Sequence, residues 1–422
     1  MAMWDLLLRG GRVVDPGSEH DGVADIAVRA GRVAAVAPGL PPERAAEVVD
    51  VTGSLVTPGL VDLHTHVWHG GSYWGIDPDA TAWRTGVTTW IDAGSAGAYS
   101  IDGLHRYVAT TSAARIKALI NVSGLGLVAE TGEHHVLGHL DVDAAAAVAA
   151  RLGDFVVGVK ARIDKNTVGP NGLEPLRRAV ELARRLSRPL MVHVGYGPPH
   201  IADILGLLGE GDILTHCASG APTDLVSDGT LTGAMRRALD AGVVFDLGHG
   251  SGAFDFEVLD VELAGGVRPI ISSDLHARSV HGPAFDLPTV MTKLLAAGWT
   301  VADVVEAATV RPASAVGIDA GVLAVGTQAD IAVFAAEEGE FPVFDVHGGT
   351  RTAPLRLTNT ATYVAGRLLP PVAAEPPPPW VPLSAAQDRA DKARRAETRD
   401  AAAPRLTRSE DFDEPFPRGA RA

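Results

Sequence analysis

A single cysteine, Cys217, in 422 residues excludes an internal disulfide framework and suits a reducing compartment. Long basic runs are also missing and the formal charge is −15, so nucleic acid and anionic membrane surfaces are not the expected partners. No stretch approaches the ~18 unbroken apolar residues of a membrane-spanning helix. Met1 to Gly10 carries no basic segment leading into an apolar one, so no export signal is expected. These absences predict a soluble, cytoplasmic protein. What is present, 46% hydrophobic and 21% charged residues, is ordinary globular composition at a length that allows more than one domain.

Hydrophobic patterning divides the chain. Residues 1–58 read as short strands with tight turns, among them 24–28 and 32–36 paired as a hairpin about Ala30-Gly31. From residue 60 the pattern changes to near-continuous apolar runs at 60–66, 87–93, 116–123, 155–163, 189–194, 212–217, 243–247 and 269–273. Segments of helical length, such as 141–152, 174–186 and 232–241, lie between them. Eight buried strands alternating with helices predict an α/β fold, a closed (β/α)8 TIM barrel over residues 59–319; an open doubly wound sheet is the alternative. Strands resume over 320–369 and are expected to join 1–58 in a small β-sandwich built from both chain ends. Residues 370–422 include the proline run Pro376 to Pro379 and read as an extended arm with one helix near 384–400, docking on a partner subunit of a homo-oligomer.

Chemistry concentrates where the barrel strands end, the edge at which such folds place their active sites. Strand side chains alternate, so Asp62, His64 and His66 share one face, and two imidazoles so spaced can share a divalent ion at about 2.0–2.1 Å per bond. The fourth run ends with Lys160 and Arg162, the fifth at His193, the sixth at His216 and the eighth at Asp274. Any one of these histidines alone reads as a satisfied core imidazole. Four of them with a lysine and an aspartate, all at strand ends, point to a metal site. An ammonium has no lone pair, but burial beside cations lowers a lysine's pKa, and the neutral amine can take up carbon dioxide as a carbamate. One ion would then sit on His64, His66, the Lys160 carbamate and Asp274, the other on the carbamate, His193 and His216. A metal-free ion pair of Lys160 with Asp274 is the competing account.

This ordered set, with Ala24-Asp25-Ile26 and Ala329-Asp330-Ile331, resembles the amidohydrolase superfamily of binuclear metallohydrolases over about residues 4–367. Within it the chain is similar to dihydroorotases and hydantoinases, and most of all to the amidohydrolase/deacetylase branch, on segments 158–163, 189–193, 212–217, 245–250 and 273–276. The resemblance implies two zinc ions (or another divalent metal), an N6-carboxylated Lys160 and a hydroxide bridging the metals. Such a centre lowers the pKa of water from about 15.7 toward 7 and polarises the substrate carbonyl, with Asp274 as the catalytic group that passes the proton to the leaving group. Dihydroorotases typically carry an arginine two residues after the second histidine of the pair, where it holds the substrate carboxylate; this chain has Trp68 there. Arg162, on the strand face of Lys160, is the candidate replacement for substrate binding, and His276 a candidate contact to substrate or oxyanion. An ion pair for Arg162 and a hydrogen bond to Asp274 for His276 are the structural alternatives.

The expected activity is hydrolysis of an amide or ester bond in a small, anionic molecule, such as an N-acyl amino acid or acetylated α-hydroxy acid. Cyclic amide opening is the enzymatic alternative. A non-catalytic scaffold is a third account, whose mark would be missing ligands. Among the remaining residues, Trp68, Tyr73 and Trp74 either wall a pocket or pack on the barrel rim. His249 is expected to turn toward helices, Cys217 to be a structural thiol, and His134, His135 and His139 to be solvated.

Overall fold

The computed structural model describes residues 2–403. Seven parallel strands follow one another in chain order across one sheet: Leu60–Thr65, Val87–Gly97, Arg115–Asn121, Val156–Ile163, Leu190–Val194, Ile213–Thr215 and Val244–Asp246. Parallel neighbours need crossovers, and helices such as Val142–Leu152, Glu174–Leu186 and Gly233–Asp240 lie in those connections. In Glu174–Leu186, Leu176, Ala179, Leu182 and Ala183 are buried while Arg177, Glu181, Arg184 and Arg185 are exposed, the spacing of one apolar helix face. Each such leucine removed from water contributes ~1.5–3 kcal/mol. Pro175 opens that helix and Ser187, left-handed at φ 50°, ends it.

The eighth apolar run departs from a regular strand. Single parallel bridges pair Ile270 with Asp246 and Leu275 with Thr65, so this segment links the last strand of the sheet to the first. The Ile270 amide donates to the Phe245 carbonyl at 2.8 Å and the His66 amide to that of Leu275 at 2.9 Å. Between these points the His249 and Gly250 amides still donate to the Ser272 and Ser273 carbonyls, but on the side of the first strand a side chain replaces the ladder. The buried Asp62 carboxylate accepts from the Ser273 amide at 3.0 Å and also from its hydroxyl. Asp274 then adopts φ 44°, a left-handed conformation that no extended strand contains.

Both chain ends enter a second sheet. Its order is Arg367–Leu368, Thr350–Val364, Ile331–Phe344, Leu55–Pro58, Trp4–Asp15, His20–Arg29, Arg32–Ala37, with Ala45–Asp50 also beside Trp4–Asp15. A sandwich is expected from the two ends; what their strands form is one hydrogen-bonded sheet with apolar clusters packed against it. Leu6, Leu8, Ile26 and Val28 pack with Ile331 and Val333, while Leu7 and Ala27 pack separately with Trp4. The carboxylates of the two Ala-Asp-Ile motifs are ties. Asp25 accepts from the Gly10 and Leu40 amides, both at 2.8 Å. Asp330 accepts from the Ala365 amide at 2.9 Å and pairs with Arg115 of the parallel sheet at 3.0 Å.

The arm does not need a partner subunit to dock on. Its helix, Ala385–Ala402, opens with a Ser384–Gln387 capping box and lies against its own barrel. Trp83 Nε1 donates to the Val372 carbonyl at 3.3 Å, Arg394 to Thr81 Oγ1 at 2.9 Å, and Arg84 pairs with Glu397 at 3.2 Å. Leu369 and Val381 join the main core. Residues 404–422 of the expected arm lie outside the described residues.

Cys217 is buried in that core, and burial pushes its thiol well above the usual range, as befits a structural role. Behind it Glu262, on Phe256–Ala264, is fully buried with no hydrogen-bond partner for either oxygen among the described residues. Burial raises its carboxyl to about 8, slightly offset by the Cys217 thiol. A raised carboxyl binds its proton more tightly when folded, so stability falls as pH rises from about 4.5 to about 8. In Glu262→Gln that slope should vanish. The variant's gain over the parent in urea midpoint should grow between pH 5 and pH 8, by about 3 kcal/mol in unfolding free energy. Parallel pH profiles for the two proteins would contradict a neutral, buried Glu262.

Candidate active site

The C-terminal edge of the parallel sheet gathers every predicted site residue at one mouth. Asp274 Oδ1 lies 3.4 Å from His64 Nε2 and 3.3 Å from His66 Nε2. Lys160 Nζ is 3.2 Å from the same His64 nitrogen. The His216 ring stands 5.1 Å from that of His64 and 4.5 Å from that of His193. Together with Trp74, Arg162 and His276, these histidines and Asp274 line a cavity of about 300 Å³. Lys160 is 1% exposed beneath them.

Hydrogen bonds decide which ring nitrogens remain free. Thr215 Oγ1 donates to Asp246 Oδ2 at 2.6 Å, so it must accept from His64 Nδ1 at 2.8 Å, and the unprotonated His64 Nε2 is left facing Lys160 Nζ at 3.2 Å and the cavity. His216 Nδ1 donates to the Gly248 carbonyl at 2.6 Å, which bares its Nε2 as well. His66 Nδ1 is engaged by Ser95 Oγ at 2.9 Å, and Ser95 is held through its amide by Asp92 at 2.7 Å. His193 is turned round: Nε2 faces Asp164 Oδ2 at 3.4 Å, which leaves Nδ1 for the cavity. His276 has the opposite polarity. Its Nδ1 accepts from the Arg278 amide at 3.2 Å, so the neutral ring carries its proton on Nε2, the nitrogen 4.0 Å from Asp274 Oδ2.

Electrostatics agree with these tautomers. Burial holds His64 and His216 well below the usual imidazole range, with Lys160 adding to the effect on both. Burial lowers His193 too and takes His276 to about 4. Burial opposes ionisation of Asp274, yet the fields of His64, His276 and His66 hold its carboxyl well below the ordinary value. Burial brings Lys160 down to about 7 against the pull of Asp274 and Asp246. His216 and Asp274 both sit at positive φ, 67° and 44°, backbone strain of the kind that collects at functional sites. Two glycines clear space for them. A Cβ on Gly248 would lie 2.8 Å from His216 Nδ1, and one on Gly250 would collide with Asp274 Oδ2.

Several placements differ from expectation. His134 is fully buried rather than solvated, with Nδ1 on the Arg162 carbonyl at 3.0 Å, because its loop folds over the end of the Arg162 strand. His135 is exposed and meets the Asn166 carbonyl. His249 does face a helix, with Nε2 at 2.7 Å from Lys293 of Leu287–Ala296. Arg162 reaches the mouth, but Glu133 grips it through Nε at 2.6 Å and Nη2 at 2.8 Å. Among the described residues no hydrogen bond uses its Nη1. Trp74 walls the cavity; Trp68 instead packs under Gly71 and Gly103. Asp164, Thr215, Asp246 and Ser95, which set the histidine tautomers, were not singled out from sequence. For Thr215 the signal was its place one residue before His216, at the end of the same strand.

The donor set fits a divalent cation. Oδ1 of Asp274 is buried without a hydrogen-bond partner and lies 3.4 Å from the unprotonated His64 Nε2, two sets of lone pairs that repel unless a cation, a metal ion or the Lys160 ammonium, lies beside them. His64, His66 and Asp274 offer ligand atoms all within 4.8 Å of one another.

A parallel α/β sheet of TIM-barrel type whose strand ends converge on such a cluster defines a barrel hydrolase with a metal-competent site. The sequence model of the amidohydrolase family matches residues 55–366; the chain belongs to this family and is a hydrolase. A deacetylase of Agrobacterium fabrum is 36% identical over 323 residues, covering 75% of this chain and 79% of that protein. A crystal structure of an adenine deaminase superposes with TM-score 0.81 at 32% identity, over 86% of this chain and 99% of that one. A crystal structure of a dihydroorotase gives 0.79 at 32% identity, over 86% and 98%.

Proposed function

We propose that the chain hydrolyses an amide or ester bond in a small anionic molecule, an N-acyl amino acid or an acetylated α-hydroxy acid. It would do so at two divalent cations, zinc in the first instance, bridged by N6-carboxylated Lys160. The observation that carries this reading is the unprotonated Nε2 of His64, beside Lys160 Nζ, aimed at the unpartnered Oδ1 of Asp274. His64, His66 and Asp274 would hold one ion; His193 through Nδ1 and His216 through Nε2 would hold the other. When bound, such ions supply a Lewis acid for the carbonyl and lower the pKa of water.

The side chains supply the rest. Asp274, held ionised, takes a proton at a carboxylate oxygen and hands it to the leaving amine or alkoxide. His276, neutral with its proton on Nε2, donates a hydrogen bond to the oxyanion that develops on the carbonyl. Arg162 Nη1 meets the substrate carboxylate while Glu133 fixes the rest of the guanidinium. The barrel, residues 59–319, would carry the whole site, with 1–58 and 320–369 as its companion unit.

The deacetylase relative favours acyclic substrates, and the dihydroorotase neighbour supports ring opening as the second reading. A panel of N-acetyl amino acids, acetylated α-hydroxy acids, hydantoins and dihydroorotate, assayed with zinc-loaded protein, separates them. The acyclic substrates should give kcat/KM at least ~100-fold above the cyclic ones, more than a missing contact or two could account for. Turnover confined to the cyclic compounds would transfer the assignment to the second reading, and none at all with full metal loading would overturn both.

A further inference from the structure

We propose that the C-terminal arm is a structural frame of the active-site mouth, in which Trp380 and Gln387 act as positioning residues for Trp74 and His276. The inference rests on the reading of this mouth as the site of hydrolysis. The matched family region ends at residue 366, before the arm begins, so nothing in that region supplies these contacts.

Two anchors are involved. Trp380 and Tyr73 exchange hydrogen bonds: Tyr73 Oη donates to the Trp380 carbonyl at 2.9 Å, and Trp380 Nε1 donates to the Tyr73 carbonyl at 3.3 Å. Gln387 Nε2, at the first turn of the arm helix, donates to the Gly282 carbonyl at 2.8 Å and reaches that of Arg278 at 3.5 Å. The same glutamine closes the capping box with Ser384, so its position is set by the helix it starts. The first anchor grips the loop after the first barrel strand, and the second grips the loop after the eighth.

Those two loops meet over the cavity. The Tyr73 ring packs edge-on against Trp74 at 4.8 Å, and Trp74 packs edge-on against His276 at 4.9 Å. The Ala277 amide donates to the Trp74 carbonyl at 2.9 Å, and the Arg278 guanidinium lies over the Trp74 ring at 5.4 Å. The Arg278 amide sets the His276 tautomer, and Ser279 Oγ holds the Asp274 carbonyl at 2.7 Å. A contiguous path therefore runs from the arm through Tyr73 and Arg278 to the two side chains that roof and complete the site. Loops open at lower free-energy cost than the strands they join unless they are tied, and a small displacement of a reacting group is costly to rate. Burial of Asp391 and Thr398, both 2% exposed or less, anchors the rest of the helix on the barrel.

Amide hydrogen exchange on the full chain tests this directly, without any substrate. In Trp380→Ala/Gln387→Ala, segments 72–76 and 276–282 should exchange at least ~10-fold faster, while the buried strand at 213–215 keeps its parent rate. Arg389→Ala, exposed on the same helix, should leave all of these segments unchanged. If the double variant fails to fold, Trp380→Phe and Tyr73→Phe each remove one hydrogen bond but keep the ring, and the same two segments are read. Once a substrate is in hand, the double variant should lose ~10-fold or more in kcat with metal content unchanged. Unaltered exchange in both loops, or a rise spread evenly over the barrel, would overturn the proposal, whereas a failed substrate panel leaves the exchange result standing.

Discussion

Lys160→Ala is expected to empty the site of most of its metal and to abolish turnover. Lys160 is 1% exposed, its Nζ meets Nε2 of His64 at 3.2 Å, and burial takes its pKa to about 7. A neutral amine at that place can be carboxylated, and the product would supply an anion able to reach both halves of the ligand set. Alanine leaves four neutral imidazoles and one carboxylate for two dications, an imbalance that few sites sustain. Metal analysis should find about two ions per parent chain and fewer than one in the variant, with kcat/KM lower by ~10³-fold or more. Short carboxylic acids, which can occupy the vacated volume as bridging anions, should restore part of both. A variant with parent metal content and activity within a few-fold would remove Lys160 from the centre, and would favour its simple ion pair with Asp274.

Asp274→Asn is the second large effect, and it separates holding a metal from moving a proton. Asparagine tolerates the left-handed φ of 44° at this position and keeps an oxygen toward His64 and His66, so folding should survive. It cannot accept a proton from water. The expected outcome is at least half of the parent metal content with kcat lower by ~10³-fold, the scale of a lost acid–base group. The parent's carboxylate is held well below its ordinary pKa, so an acid limb in its pH–rate profile above pH 5 would belong to another group. Wild-type kcat in Asp274→Asn would end its assignment as the proton carrier.

The residues that were legible in the sequence are those governed by short-range rules. His64 and His66 follow from strand alternation, and the Glu174–Leu186 helix from its 3.6-residue repeat and its flanking signals. Burial of a loop has no such period, which is why His134 reads as solvated but is fully buried against the Arg162 strand. The pairing of Arg162 with Glu133 spans a loop and a strand that no local pattern connects. The irregular eighth segment escaped because Asp62, 211 residues away, takes over the Ser273 hydrogen bonds that a strand neighbour would otherwise make.

By itself the sequence determined the class of fold and the edge of the sheet at which His64, His66 and Asp274 come together. Periodicity and residue chemistry act over a few positions, and those are written in the chain. Only the tertiary structure decided which nitrogen of each histidine faces the cavity, through Thr215 with Asp246, Gly248 and Asp164, and that the neutral His276 ring carries its proton on Nε2. It also decided that the arm lies on its own barrel and ties the loops over the mouth. Tautomers and loop positions depend on partners brought together from distant parts of the chain, and such partners exist only once the chain has folded.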